Sequence, residues 1–502
     1  LLRRGLLLIC FALLVSIVSC NVFLPERFAV NAPMFAQMFG KTIDPPSEEQ
    51  VESRFRVPEG FSLSVWAGDL GTVRWLKTTS SGDFIATLPR AGKVILLERD
   101  ADGDGRSDGQ RLLFEDLNRP HGIELRDGWL YIGETDAVGR VRFDAARRST
   151  SGEYERFITG FPGGGNHWSR TLGFGPDGML YVSIGSSCNV CEEEDARRAA
   201  IVRYQPDGSG EEIYAAGLRN AVGFDWQPGT GKLFATDNGR DLLGDDFPPC
   251  ELNEVVAGGF YGWPYANGDN VVDPDFGAGQ QARIATSIPP AHPFPAHNAP
   301  LGIHFVRDAR VPASLRGAAL VALHGSWNRT RKDGYKVVSL TWASDGSIEQ
   351  RDFMTGFELD EDVAGRPVHV VEGPDGAFYV SDDYAGVVWR VAYGKAGSGT
   401  AAAPVAMPSR PDPLADLPPG ERTSLAARGE TLYASHQCAT CHDPAAAAEG
   451  VAVKRLENLN ARYDIAGLEA LFSTPPSPMP IVPLSENEMR ALAVYLLDTP
   501  SL

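Results

Sequence analysis

The sequence predicts an all-β six-bladed β-propeller followed by a small all-α domain, and three observations carry the prediction. First, a glycine turn leading into an alternating apolar strand recurs six times: SGDFIATL from Ser81, DGWLYIGE from Asp127, DGMLYVSIG from Asp177, TGKLFATD from Thr230, RGAALVAL from Arg316 and DGAFYVSDD from Asp375. Its glycines, Gly82, Gly128, Gly178, Gly231, Gly317 and Gly376, stand 46, 50, 53, 86 and 59 residues apart. Period-two alternation after a Gly turn is a strand signal, and repetition near 50 residues is the spacing of propeller blades; a β-sandwich with similar hairpins is the alternative. Second, residues 394–420 are Gly, Ala and Pro with few large apolar side chains, a semi-extended linker. Third, ERTSLAARGETLYASHQC and LSENEMRALAVYLL space their apolar residues as helices do, the latter with Ser485 and Glu488 as a capping box.

Taken in order, residues 1–20 read as an export signal. Arg3 and Arg4 precede thirteen almost wholly apolar residues, Leu6 to Val18, short for a membrane span and right for a signal-peptide core. Ile17-Val18-Ser19-Cys20 resembles a bacterial lipobox, which makes Cys20 the expected lipidation site, with a plain signal peptide or uncleaved anchor as the alternative. The chain is therefore expected on the periplasmic side, held to a membrane by its acyl chains alone. Residues 21–54 form a tether, 55–393 the propeller, 394–420 the linker and 421–502 the helical domain. The 86-residue gap between the fourth and fifth glycines, with FYGWPYANG and PPAHPFPAHNAP, reads as a long excursion on one face.

With 46 basic against 65 acidic residues, the net charge of -19 repels phosphate backbones and argues against a nucleic-acid partner. Beyond the export segment five cysteines remain, and three of them, Cys188, Cys191 and Cys250, have no assigned chemistry in a compartment where thiols oxidise. A local Cys188–Cys191 disulfide is expected, with Cys250 as the rival partner of either. DADGDGRSDG places Asp100, Asp102, Asp104 and Asp108 at the spacing of a calcium loop but has Arg111 where a twelfth-position glutamate belongs; a structural calcium and an acidic surface turn are both open.

CATCH, residues 438–442, is a C-x-x-C-H haem-attachment motif. Cys438 and Cys441, one helical turn apart, can form the two thioethers while His442 reaches the iron. A soft sixth ligand raises the potential, and Met479 in the loop PPSPMP is the candidate, since Met489 falls inside the last helix. The segment resembles a short class I cytochrome c.

Within residues 55–395, GGGNHWSRTLGFGPDGMLYVSIG, YAAGLRNAVGFDW, ATDNGRDLLGDDFPPCELNEV, FYGWP, HGSWNR with DGYKV, and GRPVHVVEGPDGAFYVSDD resemble the soluble type of pyrroloquinoline quinone (PQQ)-dependent sugar dehydrogenase, especially its sorbosone and aldose dehydrogenase branch. That resemblance implies PQQ lying flat at the propeller mouth, held by Ca²⁺ and by basic side chains facing its carboxylates. His167 matches the family's catalytic histidine, able to accept the proton of a sugar C1 hydroxyl; Asn166 stands where the family has an orienting acid. Arg219, Asn220 and Asn238 match residues around the quinone, and Gly239 and Arg240 match the positions whose backbone carbonyls bind calcium. Arg329, Lys336 and Arg366 are candidates for the remaining carboxylate contacts. Glu251 and Asn253 follow a second calcium position of the family, with Cys250 replacing an acid.

The expectation is an exported quinohaemoprotein that uses PQQ, Ca²⁺ and haem c to oxidise an aldose or aldehyde sugar at C1, handing electrons to a periplasmic cytochrome or the quinone pool. The rivals are a lactonase-like hydrolase with an electron-transfer tail and a non-catalytic carbohydrate-binding propeller.

Overall fold

In the computed structural model, residues 29–30, 42–394 and 412–499 are described, apart from 416, 444–445, 447–455, 457–458, 474, 476–478 and 481. Cys20 and most of the linker lie outside them. The chain divides into two compact units, Leu1–Ala402 and Ala403–Leu502.

The first unit contains six blades, each with four antiparallel strands, one of them extended by a fifth strand. Each marker glycine sits in the turn before its blade's second strand, with φ of 89° at Gly82, 74° at Gly128, 80° at Gly178, 68° at Gly231, 73° at Gly317 and 82° at Gly376. Only a residue without a Cβ takes that conformation cheaply, which is why the repeat is legible as glycine. The second strands are Phe84–Leu88, Trp129–Glu134, Leu180–Ile184, Leu233–Asp237, Ala319–Leu323 and Phe378–Asp382. Their side chains alternate between two interblade cores rather than between core and water. Ala319, Val321 and Leu323 pack against blade four, while Leu320 and Ala322 pack against blade six. Hence these strands are apolar at nearly every position.

The ring is closed by the two ends of the β-region. Phe61–Ala67 pairs antiparallel with Val387–Tyr393, with Phe61 opposite Tyr393, and so completes the sixth blade from the N-terminal side. Just before it, helix Glu48–Arg54 inserts Val51, followed by Phe55, into the core between blades five and six. The last part of the expected tether is thus part of the propeller.

The long excursion lies inside blade four, between its third strand Cys250–Val255 and its fourth, His292–Phe294. On the way Gly259–Phe260 adds a parallel fifth strand to blade three beside Glu212–Ala216. Because first and second strands are antiparallel, the segments entering the first strands and those leaving the second strands meet on one face. That face carries Arg74, His167, Ser186, Arg219, Asn238, His324, Arg366 and Asp383.

The second unit consists of helices Pro419–Ser435, Ala439–His442, Leu459–Arg462, Ile465–Ser473 and Glu486–Asp498. Glu488 Oε2 accepts the Ser485 N–H at 2.9 Å, the reciprocal arm of the capping box. The first and last helices cross at Gly429, where an added Cβ would lie 2.2 Å from Ala491 O and 2.5 Å from Tyr495 Cβ. Leu414, inside the expected linker, is buried in this unit's core with Tyr433, Leu468, Phe472 and Leu492.

Candidate active site

His167 precedes the first strand of blade three and is half-buried. Its Nδ1 lies 2.9 Å from Ser186 O and 3.0 Å from Ser186 Oγ. A carbonyl can only accept, so Nδ1 carries the proton and Nε2 keeps its lone pair. Burial, and then the nearby Arg219 charge, lower the imidazole pKa to about 3, so the ring is neutral across the physiological range. Asn166, in the place of the family's acid, offers only its backbone N–H, to Ser187 O at 2.9 Å. The orienting partner is Ser186.

Gly185 is the floor between His167 and Asn220. A Cβ there would stand 2.5 Å from Asn220 Oδ1 and 2.6 Å from His167 Cβ. Asn220 is itself fixed through its N–H, which donates to Asp237 Oδ1 at 2.5 Å.

Arg219 is buried, and all five of its donor hydrogens are spent within the chain. Nε donates to Asn189 O at 2.9 Å, Nη1 to Asn238 O at 3.0 Å and Gly239 O at 2.9 Å, and Nη2 to Asn189 Oδ1 at 2.9 Å and Asp241 Oδ2 at 3.2 Å. In this arrangement the arginine clamps the 238–241 segment, a duty beside the quinone contact expected for it. One of the two carbonyls expected to hold calcium, Gly239 O, is among the groups it clamps. Arg240 turns its side chain away, onto buried Asp273 at 2.7 Å and Asp275 at 2.8 Å, which leaves backbone ligation independent of its charge. Asn238 Oδ1 and, in the neighbouring loop, Asn298 Oδ1 are buried acceptors without a partner.

Among the looser basic candidates the outcomes differ. Arg366 is buried at the mouth, with Nε donating to His324 O at 3.1 Å and Nη2 to Gly325 O at 3.2 Å. Arg329 ties down loops through Asp245 O, Ala296 O and the Asp246 carboxylate at 3.0 Å. Lys336 forms a cross-strand ion pair with Asp352 at 2.7 Å, a position set by the register of blade five. Sequence reasoning missed Arg74, His324 and Asp383. Arg74 Nη1 lies 2.5 Å from Asp383 Oδ2, His324 Nε2 lies 2.9 Å from Asp383 Oδ1, and the Arg74 Nε hydrogen is buried without a partner. Burial and the Arg366 charge lower His324 to about 4, while His324 and Arg74 hold Asp383 far below the usual carboxylate range. The HGSWNR and VSDD segments contained two of these residues; what they lacked was the knowledge that residue 74 would meet them.

Cys188 and Cys191 are joined, and Cys250 is a buried free thiol. Cys250's neighbour Glu251 lies opposite Asp237 in the strand register, and both are buried. Burial pushes both carboxyls up and the Asp237 charge adds to the rise of Glu251, with Asp237 rather than residue 250 supplying the second acid. In the acidic loop of blade one, the carboxylates of Asp100, Asp102 and Asp108 gather within 4.8 Å, while Asp104 accepts the Arg106 N–H at 2.8 Å.

In the second unit Cys438, Cys441 and His442 occupy one helical turn, with the His442 N–H donating to Cys438 O at 3.1 Å. Cys438 packs partly into the core, Cys441 is exposed, and Met479 packs against the same core. Met489 lies within the last helix, its sulfur 3.4 Å from Ser473 Oγ. Tyr433 Oη is buried without a partner.

Residues 131–390 match the family model described as Glucose / Sorbosone dehydrogenase. An uncharacterised protein of Borreliella burgdorferi is 30% identical over 364 residues, 69% of this chain and 93% of the relative. Among solved structures, the holo form of the PQQ domain of pyranose dehydrogenase from Coprinopsis cinerea superposes with a TM-score of 0.58 at 21% identity, covering 67% of this chain and 97% of that one. A calcium structure of a Trichoderma reesei carbohydrate-active enzyme of family AA12 gives 0.59 at 21% identity, over 68% and 97%. At these identities the structural likeness establishes the fold. The family rests on the sequence matches: by them and by its six-bladed architecture, this chain belongs to the glucose/sorbosone dehydrogenase family.

Proposed function

We propose that the chain is a PQQ-dependent sugar dehydrogenase that oxidises C1 of an aldose or an aldehyde sugar of the sorbosone kind and relays the electrons to a haem c bound to its own C-terminal unit. The observation that carries the reading is His167: a neutral imidazole, held by Nδ1 on Ser186 so that Nε2 keeps the lone pair, across Gly185 from Asn220. When bound, PQQ supplies a two-electron oxidant for the C1 hydrogen, calcium supplies positive charge at its carbonyl edge, and the haem supplies a one-electron iron centre.

The residues fit these groups. Asn238 Oδ1 and Asn298 Oδ1 are unpartnered buried oxygens of the kind a hard cation takes, beside the Gly239 and Arg240 carbonyls. Arg74, with an unpartnered Nε hydrogen, and Arg366 bring two guanidiniums to the face where an acidic quinone would sit, with Asn220 below. In the second unit two thiols and an imidazole share one turn, a thioether packs on the core nearby, and the Tyr433 hydroxyl awaits an acceptor. That donor set is the one a covalent haem requires.

The chain's own part in the chemistry is proton handling. His167 Nε2 accepts the proton of the C1 hydroxyl as the hydrogen on C1 departs. With its pKa held near 3 the imidazole is neutral, so its Nε2 lone pair is available to that proton. The resulting imidazolium then loses its proton readily to solvent, and Nδ1–H stays on Ser186 throughout. An exported position, anchored through a lipidated Cys20, agrees with the Cys188–Cys191 disulfide and would put the haem within reach of a periplasmic cytochrome or the quinone pool. The direct test adds PQQ and Ca²⁺ to purified protein and screens aldoses, sorbosone and simple alcohols with an artificial electron acceptor. Sugar-dependent dye reduction that requires PQQ is the expected result; sugar binding without dye reduction would return the propeller to a carbohydrate-binding role.

A further inference from the structure

The loop between the second and third strands of blade three contains the disulfide, and it meets the active site on two sides. Cys188 and Cys191 close a loop whose first interior residue is Asn189. Every polar group of the Asn189 carboxamide is engaged: Oδ1 accepts the Asp241 N–H at 2.8 Å and Arg219 Nη2 at 2.9 Å, and Nδ2 donates to Asp241 O at 3.0 Å. Its backbone carbonyl takes Arg219 Nε at 2.9 Å and the Trp263 indole N–H at 3.4 Å. Arg219 in turn sets the carbonyls of Asn238 and Gly239. On the other side, the Ser186 hydroxyl donates to Cys188 O at 2.7 Å, and Ser186 is the residue that receives His167 Nδ1. One small loop therefore touches both the base and the clamp of the 238–241 segment.

A disulfide with a sequence separation of only 3 restricts the unfolded chain very little, so global stability is a poor explanation for its presence. Its local effect is large. A five-bonded asparagine between two strands of irregular backbone keeps its orientation only if the loop carrying it cannot relax.

We propose that the Cys188–Cys191 disulfide is a positioning device of the active site: it fixes Asn189, which orients Arg219 and the Asn238–Asp241 segment, and through Cys188 O and Ser186 it fixes the His167 imidazole. Asn189 is a positioning residue, acting through Arg219 and touching no substrate. The assignment deepens the reading of this mouth as a PQQ site and rests on it for its catalytic consequence.

The test compares the full-length wild type with Cys188→Ser/Cys191→Ser, Asn189→Ala and Asn189→Asp. Hydrogen exchange followed by mass spectrometry is the readout that needs neither PQQ nor sugar. Exchange should quicken in residues 217–220 and 236–242 of the double-serine and alanine variants, while the second strands of the six blades keep wild-type protection. Calorimetric titration with PQQ in the presence of Ca²⁺ should show affinity weakened about tenfold in both variants. At saturating PQQ, kcat for the sugar should fall about tenfold with KM within about twofold, because the base is misaligned and the sugar's other contacts remain. Asn189→Asp keeps both acceptor contacts but sets a carboxylate oxygen against Asp241 O where Nδ2 donated, so it should recover only part of the affinity. Unchanged exchange in 236–242, or PQQ affinity and kcat within twofold of wild type in the double-serine variant, overturns the proposal. A wild type that binds no PQQ overturns the functional reading instead, and the exchange data alone then decide whether the loop is a brace.

Discussion

At the propeller mouth the polar groups mostly answer one another: Arg219 spends five donors on four residues, Asn189 makes five hydrogen bonds, and Asp383 binds both Arg74 and His324. In the helical unit the chemistry-bearing groups have a different setting. Cys441 is exposed, Cys438 and Met479 are only partly packed, and the buried Tyr433 hydroxyl has no partner among the described residues. The propeller fixes its site by cross-links between loops that six interblade cores hold in place. The helical unit, about a fifth of the chain and with far fewer buried side chains, cannot be as self-sufficient; small domains commonly need a staple, a metal or a cofactor. Geometry imposed by the chain before any ligand arrives is thus the rule in one unit, and geometry completed by a prosthetic group is the rule proposed for the other.

The sharpest way to break this comparison is to remove the staple. Cys438→Ala/Cys441→Ala should abolish haem staining after denaturing electrophoresis and destabilise the helical unit, while PQQ-dependent dye reduction by sugar stays within twofold of wild type. If dye reduction is lost as well, the two units do not hold their chemistry independently.

The next largest effect belongs to the propeller alone. His167→Ala should lower kcat for sugar by roughly 10²- to 10⁴-fold, the usual worth of a positioned general base, with PQQ affinity and the haem spectrum unchanged. Steady-state kinetics beside a PQQ titration separates this from a folding defect. A milder perturbation of the same geometry is Gly185→Ala, whose new methyl would collide with both His167 and Asn220. Overpacking of that kind costs about 1–3 kcal/mol, and displacement of the base should cost about tenfold in kcat. Gly163→Ala, in the loop leading to the same histidine but with nothing within 4 Å, is the control and should leave both thermal midpoint and kcat unchanged.

What the sequence made legible follows from how far each feature reaches along the chain. The blade turns were readable because a positive φ selects glycine at each of them, and the CATCH turn because its ligands are neighbours. His167 was readable from its surrounding motif. Arg219 was readable from its motif, but its clamp was not, because its partners are Asn189, 30 residues before it, and Asn238 to Asp241 on another loop. Arg74 and Asp383 are 309 residues apart and meet only because the ring closes through Phe61–Ala67. The Lys336 partner is hidden for a related reason: strand register, invisible in composition, hands it to Asp352. Asn189 carries no motif of its own, because its role comes from partners 30 and 52 residues further along the chain.

The smallest expected effect sharpens the comparison through pH. In the propeller, His121, His167, His324 and His369 are all held below the ordinary histidine value by burial; His167 stands at about 3 and His324 at about 4. Between those values and about 6.5 the unfolded chain binds more protons than the folded one, so the stability these histidines contribute is present above pH 6.5 and drains away as pH falls. The buried Asp237 and Glu251 carboxyls are raised, so their contribution has the opposite sign and is lost as pH rises above the ordinary carboxylate range. Two opposed gradients should give the propeller a stability maximum, His292 adding to the histidine set and Asp382 and Glu358 to the carboxyl set. In the helical unit, by contrast, neither histidine is buried: His436 is exposed and His442 half-buried. All nine tryptophans lie in the propeller unit, so denaturant titrations followed by tryptophan fluorescence report that unit, and haem absorbance would report the other. Between pH 7 and 5 the fluorescence midpoint should fall while the absorbance midpoint holds. Midpoints that move together would mean that the propeller's buried histidines do not set its acid sensitivity.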